Sequence, residues 1–294
     1  VFMKITLSDV PTYIAFRHPG LGETEKAEKA ARMAETFAAW SEDSESIFLA
    51  KDGRGRIEGA IHRFRLQAGS YGAGNVTIAE GLDDPAVFRR LLIACQPVPR
   101  LAYRLVSGPL AEGRQRVLIE LGYRAGEKRE EFRRELAGLP GDEGSPLRWE
   151  PLPDLSEKSL DRTAEFLKRC GEGDPDFSSD DDAHELVRVY LRENGLSAGP
   201  ECVQFGSVAG EPMALVVAQV QASNGWSRIT YMGMLPAFRG RGLGAWVHRH
   251  GFVMLREQGG KLYHGGTLAR NRAMIRLFEK HGCAPYRSMQ EWTA

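Results

Sequence analysis

The sequence predicts an α/β (α+β) protein of two tandem modules, each with a mixed, mostly antiparallel sheet flanked by helices. Two observations support this fold class. Strand-like and helix-like patterns alternate along the chain, and their order begins again after a linker near the middle. A hairpin turn at Asp52-Gly53 also recurs at Ala209-Gly210, and a helix end at Gly122 recurs at Gly282, so both features repeat at about 160 residues.

The first half contains the elements of one module. Apolar and polar alternation predicts strands at 3–7, 47–50, 57–64, 75–79 and 101–106, while helical periodicity predicts helices at 23–40, 85–94 and 111–121. Residues 51–55 have the composition of a hairpin turn between the second and third strands. A charged strand after Tyr123 closes this half near Leu136.

Residues 137–146 separate the halves, because they are polar, rich in Gly and Pro, and without periodicity, as in a linker. The second half then predicts strands at 147–151, 202–208, 213–221 and 262–268, and helices at 157–169 and 182–193. We therefore predict one module at 1–138 and another at 146–294.

Composition excludes several classes of protein. The 294 residues carry 39 basic and 39 acidic side chains, so no net charge attracts nucleic acid or an anionic membrane, and we expect neither partner. The longest apolar run, Met213–Val220, is far shorter than the ~20 residues of a membrane span. Four scattered cysteines show no metal-ligand spacing, and no secretory segment is evident, which favours a reduced cytoplasmic enzyme without a metal. The sequence does not indicate an oligomeric state.

The stretch Ser227–Gly244 is the strongest candidate site. A strand pattern ends at Pro236, which has no N–H for a sheet, and a glycine-rich turn with two arginines leads into a helical pattern. Glycines allow the backbone N–H groups to turn inward, and the first helical turn adds free donors and the positive end of the helix dipole. This arrangement predicts a cradle for phosphate groups.

Two common phosphate loops do not fit this stretch. A Walker loop ends in Gly-Lys-Ser/Thr, and no lysine stands here. A dinucleotide fingerprint can be drawn through Gly240, Gly242 and Ala245, but it requires an acidic residue at the end of the next strand. That strand-like run, 261–267, ends in His-Gly-Gly-Thr without an acid.

The stretch instead resembles motif A of the GNAT superfamily of acyl-CoA N-acyltransferases, whose signature is Q/R-x-x-G-x-G/A. Arg239, Gly242 and Gly244 occupy the signature positions, and Pro236 stands three residues ahead. The resemblance continues through a strand, Asn271, an amphipathic helix and Gly282, in the family's spacing. It implies two tandem GNAT-like modules with acetyl-CoA as the cofactor of the second.

The resemblance also implies roles for individual residues. The N–H of Met234 would polarise the thioester carbonyl at a bulge in the strand, and the strands that part there would hold the pantetheine arm. Phe278 stands where the family often has a tyrosine that protonates the leaving thiolate, so that acid is missing or replaced. The implied cofactor contacts are Met232, Met234, Arg239, Gly240, Arg241, Gly242, Leu243, Gly244, Asn271 and Phe278.

A general base is harder to identify from the sequence. Positions 228, 230 and 232 on the strand before the loop carry no base for neutral pH. His264 on the following strand has a suitable ordinary pKa, so it is the candidate, although a lone histidine is more often structural. The acidic segment 173–182 lies where the family places its acceptor loop, and it could attract a cationic amine or be a solvated loop.

The first module has acidic residues, Glu80 to Asp84, where phosphates would need amides and arginines, so we expect no CoA cradle there. The predicted function is transfer of an acetyl group from acetyl-CoA to a primary amine of a small molecule, by direct attack in a ternary complex. The alternative is a catalytically silent acyl-CoA-binding regulatory or scaffold protein.

Overall fold

A computed structural model describes residues 2–38, 45–67, 70–96, 101–177, 182–192, 199–221 and 225–294. The chain divides into two compact units. Unit 1 consists of Val1–Glu127 and Met289–Ala294, and unit 2 consists of Lys128–Ser288. Among the described residues, no helix combines the length and the apolar character needed to cross a bilayer.

Unit 1 contains a mixed sheet whose strand order is β1-β2-β3-β4-β5-β12. Its elements are β1 (Phe2–Lys4), α1 (Val10–Arg17), α2 (Glu23–Ala38), β2 (Glu45–Lys51), β3 (Ile57–Gln67), β4 (Ser70–Ile78), α3 (Asp84–Ala94), β5 (Leu101–Val106), α4 (Ala111–Glu120), the beginning of β6 (Arg124–Glu135) and the end of β12 (Ala284–Thr293). Phe88, Leu91 and Leu92 of α3 are fully buried in its core.

Unit 2 repeats the same plan, with the strand order β6-β11-β10-β9-β8-β7. Its elements after β6 are β7 (Arg148–Pro151), α5 (Glu157–Gly171), α6 (Ala183–Arg192), β8 (Val203–Val208), β9 (Glu211–Gln221), β10 (Trp226–Met234), α7 (Gly244–Glu257), β11 (Leu262–Leu268), α8 (Arg272–Lys280) and the beginning of β12. The run 213–218 of β9 is buried on both faces, as expected for a central strand covered by helices.

Both predicted hairpins are confirmed. β2 pairs with β3 across residues 52–56, and β8 pairs with β9 across Ala209-Gly210. Ala209 and Gly210 both have positive φ, at 50° and 83°, as the tight turns of two-residue hairpins require.

The sixth strand of each unit comes from the other half of the chain. β6 follows α4 in the first half, yet Arg129–Glu135 pair with β11 in unit 2. β12 follows α8 in the second half, yet Met289–Thr293 pair with β5 in unit 1. The predicted module boundaries, 1–138 and 146–294, assume that each half keeps its own last strand, and the compact units differ from them at these two exchanged strands.

The strands that flank the candidate site part early. β10 and β11 are parallel neighbours, but among the described residues their pairing consists of Trp226 with Leu262 and Ser227 with Tyr263. The irregularity in β10 lies between Ile229 and Tyr231, whereas Met234 pairs regularly with Ala214 of β9. The expectation of a bulge near Met234 is therefore wrong, because the register shift that bends β10 comes before its last four residues.

Candidate functional site

The loop between β10 and α7 has the backbone that the sequence predicted. A short 3-10 turn over Pro236–Phe238 ends the strand. Gly240 and Gly242 then adopt positive φ values of 74° and 78°, and a Cβ at either position would meet no atom within 4 Å. The glycines therefore provide a backbone conformation that L side chains rarely adopt, and they leave open space in front of it.

Six consecutive backbone amides at this loop have no acceptor in the protein. In the part of the chain that the structure describes, none of the N–H groups of residues 240–245 donates a hydrogen bond, and the first amide that does is Trp246, to the Leu243 carbonyl at 2.9 Å. Helix N-termini expose such donors together with the positive end of the helix dipole, and anions bind there.

Arg239 is committed to protein carbonyls. Its Nε donates to the Met234 carbonyl at 3.0 Å, Nη1 donates to that of Glu172 at 2.6 Å, and Nη2 donates to that of Cys170. Two of these carbonyls lie at the C-terminal end of α5, where helix carbonyls lack partners. Three of its five N–H donors are used in this way, so a contact of this guanidinium with a phosphate, as the sequence predicted, would have to use the two that remain.

A groove of about 400 Å³ begins at the glycine loop and runs between β10 and α8. Of the predicted cofactor contacts, the residues that line it are Met232, Met234, Arg239, Gly240, Gly242, Gly244 and Asn271. Arg276 and Lys280 of α8 also line it and add positive charge. Sequence reasoning missed this pair, although its spacing of four residues on a helix was a readable signal.

The remaining predicted contacts lie elsewhere. Arg241 is exposed, and its guanidinium lies 5.5 Å from the Phe238 ring centroid. Leu243 packs at the edge of the unit 2 core. Phe278 is 1% exposed and stacks on Phe132 with ring centroids 4.6 Å apart, so it is a core residue with no hydrogen to donate.

An inner cavity of about 160 Å³ adjoins the groove and shares Asp174, Met232, Asn271 and Met274 with it. Its wall contains three phenol side chains, those of Tyr190, Tyr231 and Tyr263. An outer cavity of about 550 Å³ between α5 and α6 contains Asp174, Glu165, Lys168 and His184. Residues 178–181 of the predicted acceptor loop lie outside the described residues.

Asp176 fixes the first part of the acidic segment to the end of β11. Its carboxylate accepts hydrogen bonds from the Leu268 amide at 2.8 Å, from the Thr267 hydroxyl and from the Asn271 side-chain amide at 2.7 Å. Asn271 in turn caps α8, because its Oδ1 accepts from the Met274 amide at 3.1 Å.

Asp174 lines the groove, the inner cavity and the outer cavity. Burial raises the pKa of its carboxyl group, and repulsion from Asp176 adds to this, while the Asp176 amide and Arg239 act in the opposite direction. A carboxylate with a raised pKa at the junction of cavities is a good proton acceptor. The sequence showed an acidic segment but could not select this member of it.

His264, the predicted base, lines neither the groove nor the inner cavity. Its ring packs against Trp226 and Tyr286, with centroids 5.4 and 5.5 Å away. Burial lowers the pKa of His264, and the neighbouring arginines contribute to this. A role in proton transfer for His264 stays a prediction.

The comparisons with known proteins agree with this geometry. Residues 162–283 match the model of the acetyltransferase (GNAT) family. This segment is a GNAT domain. Membership of this family indicates acyl transfer from acyl-CoA in general, and the loop and the groove suit that chemistry. No curated protein matches the chain in sequence.

Solved structures extend the similarity to the whole fold. A GCN5-related N-acetyltransferase from Sphaerobacter thermophilus is 14% identical, with a TM-score of 0.71, and the match covers 100% of this chain and 95% of that one. A tandem GNAT protein from the clavulanic acid biosynthesis pathway is 15% identical, with a TM-score of 0.65 and coverage of 100% and 98%. At these identities the likeness shows the fold, which is that of a tandem GNAT protein.

Proposed function

We propose that unit 2 transfers an acetyl group from acetyl-CoA to the primary amine of a small molecule, by direct attack within a ternary complex. The observation that carries this proposal is the row of six unpartnered amides at residues 240–245, which opens onto a groove with cationic side chains. A diphosphate would satisfy these donors, because charge-assisted hydrogen bonds to amides at a helix N-terminus are favourable.

The parting of β10 from β11 supports a site for the pantetheine arm. Leu235 donates its N–H to Met213 of β9 at 2.9 Å, so the alternating antiparallel pattern turns the N–H and C=O groups of Met234 and Met232 away from β9. These groups face the side from which β11 has departed. An extended chain with amide groups would pair there as an added strand, and the Met234 N–H would polarise a carbonyl beside it.

When bound, the thioester of acetyl-CoA supplies the acyl group and a thiolate that leaves readily. In this proposal Asp174 performs the proton transfer that sequence reasoning gave to His264. Its carboxylate would accept a proton from the attacking nitrogen, since it lies where the inner and outer cavities meet the groove. Arg239, anchored on three carbonyls, holds the end of β10 beside that carboxylate's segment.

The test is a thiol-release assay with acetyl-CoA and a panel of polyamines, amino acids and aminoglycosides. We expect turnover with at least one amine, and Asp174→Asn should lower kcat by roughly 100-fold or more, as for loss of a general base. Glu165→Gln is the matched control, because Glu165 lines the outer cavity but neither the inner cavity nor the groove. This substitution should change kcat by less than about twofold.

Two outcomes would contradict the proposal. Tight CoA binding without thiol release across the panel would favour the acyl-CoA-binding scaffold protein instead. A full loss of activity in His264→Gln with little loss in Asp174→Asn would return the role of base to His264.

A further inference from the structure

Three polar side chains, two of them fully buried and one partly exposed, form a continuous chain of hydrogen bonds beside the inner cavity. The Tyr263 hydroxyl of β11 lies 3.3 Å from Nε2 of His248 on α7. Nδ1 of His248 lies 2.7 Å from Nδ1 of His281, at the end of α8. Tyr263 is 1% exposed and His248 is fully buried, so this chain crosses the interior of unit 2.

The surroundings keep both imidazoles neutral. The ring of His248 packs against Phe252 and Phe278, with centroids 4.5 and 5.5 Å away. Burial, reinforced by His281, holds the pKa of His248 well below its usual range. Burial also lowers the pKa of His281 to about 4, with help from the charge of Arg249.

A hydrogen bond between two neutral Nδ1 atoms needs one ring as donor and the other as acceptor. The two rings must therefore be opposite tautomers, and the chain has two orientations with the same number of protons. In one orientation every donor points toward the cavity, and in the other every donor points toward His281. A shift of each proton along its hydrogen bond converts one orientation into the other, and no charge stays in the core when Tyr263 releases one proton to the cavity and Nε2 of His281 takes one up.

The inner end of the chain, the Tyr263 hydroxyl, fits against residue 265 because that residue is a glycine. A Cβ at Gly265 would overlap the Tyr263 hydroxyl and would lie 2.7 Å from Cε1 of Phe278. Tyr263 is itself part of the wall of the inner cavity. The outer end of the chain is Nε2 of His281, a buried atom with no hydrogen-bond partner in the described part of the chain, although the residue as a whole is partly exposed.

We propose that Tyr263, His248 and His281 form a proton relay that protonates the leaving sulfur in the acyl transfer, an inference that rests on the function proposed above. The phenol that Phe278 cannot supply would thus come from the neighbouring strand. A purely structural role explains the relay less well, because apolar side chains of similar size would fill this core without burying three polar groups.

The proton balance closes in four transfers. The bond between the sulfur and the carbonyl carbon breaks, and the thiolate takes the Tyr263 hydroxyl proton. The phenol oxygen takes the proton on Nε2 of His248, and Nδ1 of His248 takes the proton on Nδ1 of His281. Nε2 of His281 then accepts a proton from a water molecule that reaches it beside the partly exposed ring, and the hydroxide is neutralised by the proton that the attacking amine gives to Asp174 and that Asp174 releases to solvent.

The first test is NMR of the histidine-15N-labelled protein without substrates. We expect one ring of the pair to carry its proton on Nδ1 and the other on Nε2, with a downfield Nδ1 proton that disappears in His281→Gln. Two rings with protons on the same nitrogen and no shared proton would overturn the relay. This readout does not depend on turnover.

The second test measures kcat and KM with acetyl-CoA and an amine that supports turnover. Tyr263→Phe and His281→Gln should each lower kcat by roughly 10- to 100-fold, with KM for acetyl-CoA within about twofold. The double variant should be no slower than the slower single variant, because both substitutions interrupt one path. Tyr286→Phe removes an exposed phenol of unit 2 and should leave kcat unchanged.

Multiplied losses in the double variant, or a kcat unchanged in Tyr263→Phe, would overturn the relay. A shared Nδ1 proton in a protein that releases no thiol with any amine would overturn the proposed function and the catalytic role of the relay, while the hydrogen-bond chain itself would stand. Circular dichroism of each variant shows that it is folded.

Discussion

The two units differ at the start of two corresponding helices. α3 of unit 1 and α7 of unit 2 both follow the fourth strand of their half of the chain, yet α7 starts on glycines whose amides have no protein acceptor. α3 starts at Asp83 and carries Asp84 in its first turn. The Asp84 carboxylate accepts two hydrogen bonds from Arg114 of α4, at 2.8 and 2.7 Å.

The difference teaches how a helix N-terminus can be either closed or kept for a ligand. In unit 1 an acidic residue of the chain itself, Asp84, stands in the first turn of the helix, where the positive end of the dipole favours a carboxylate, and Arg114 pairs with it. In unit 2 no internal anion takes this place among the described residues, and the groove beside the loop contains Arg276 and Lys280. That unit 1 binds no CoA stays a prediction, for which this pair gives a physical reason.

The largest effect should come from removing the carboxylate at the start of α3. Asp84→Ala should lower the free energy of unfolding by about 3 to 5 kcal/mol, because it leaves a largely buried arginine without its partner. The control is Glu120→Ala, which breaks a more exposed pair with Arg89 between the same two helices and should cost below about 1 kcal/mol. Urea unfolding measures both, and equal losses would show that α3 does not depend on its internal anion.

The next largest effect should come from adding a carboxylate to the loop before α7. Gly242→Asp places a carboxylate against the amides and should weaken CoA binding about 100-fold, equivalent to ~2.7 kcal/mol. Gly81→Asp is the matched control, since Gly81 has a φ of 79° and equally open space before α3. Calorimetry should find the CoA affinity of the control unchanged. Equal CoA affinities of the two variants would show that the loop of unit 2 is not the phosphate cradle.

Arg239 sharpens the comparison within the loop. Arg239→Met should lower the free energy of unfolding by about 2 kcal/mol, because three carbonyls lose a charged donor. Arg241→Met, in the same loop but exposed, should cost less than about 0.5 kcal/mol. If Arg239→Met instead keeps its stability but binds CoA more than tenfold weaker, the arginine is a phosphate ligand, as the sequence suggested.

The smallest effect concerns acid stability of unit 2. The pKa of His281 is lowered to about 4 by burial, whereas the unfolded chain takes up this proton near its usual pKa of about 6.5. The unfolded state therefore binds more protons between these values, and stability present above pH 6.5 is lost as the pH falls toward 4. Urea midpoints across this range should fall less steeply in His281→Gln, and parallel curves would contradict the assignment.

Much of the fold was accessible to the sequence because its signals are local. The hairpins, the glycine loop and the Asn271 cap each depend on residues within a few positions of each other, and backbone conformation follows directly from them. The repeat offset then supplied the two-module fold, which the comparisons bear out.

The rest depended on residues that are distant along the chain. β6 and β12 follow the last helix of their halves in equivalent positions, so no pattern within either strand could say which sheet it joins. Asp174 gains its raised pKa from burial that only the folded chain provides. Tyr263, His248 and His281 share no sequence pattern, and only the packing of β11, α7 and α8 joins them.

The exchange of last strands affects how this protein could be cut into fragments and how it could evolve after a gene duplication. Neither half of the gene encodes a complete sheet, so a fragment cut at the linker would expose an unpaired edge on β5 or β11, a common template for aggregation. Residues 289–293, although they follow the acyltransferase region, complete the sheet that lacks the glycine loop. A duplicated ancestor that came to share strands in this way could no longer lose one copy without leaving the other sheet incomplete.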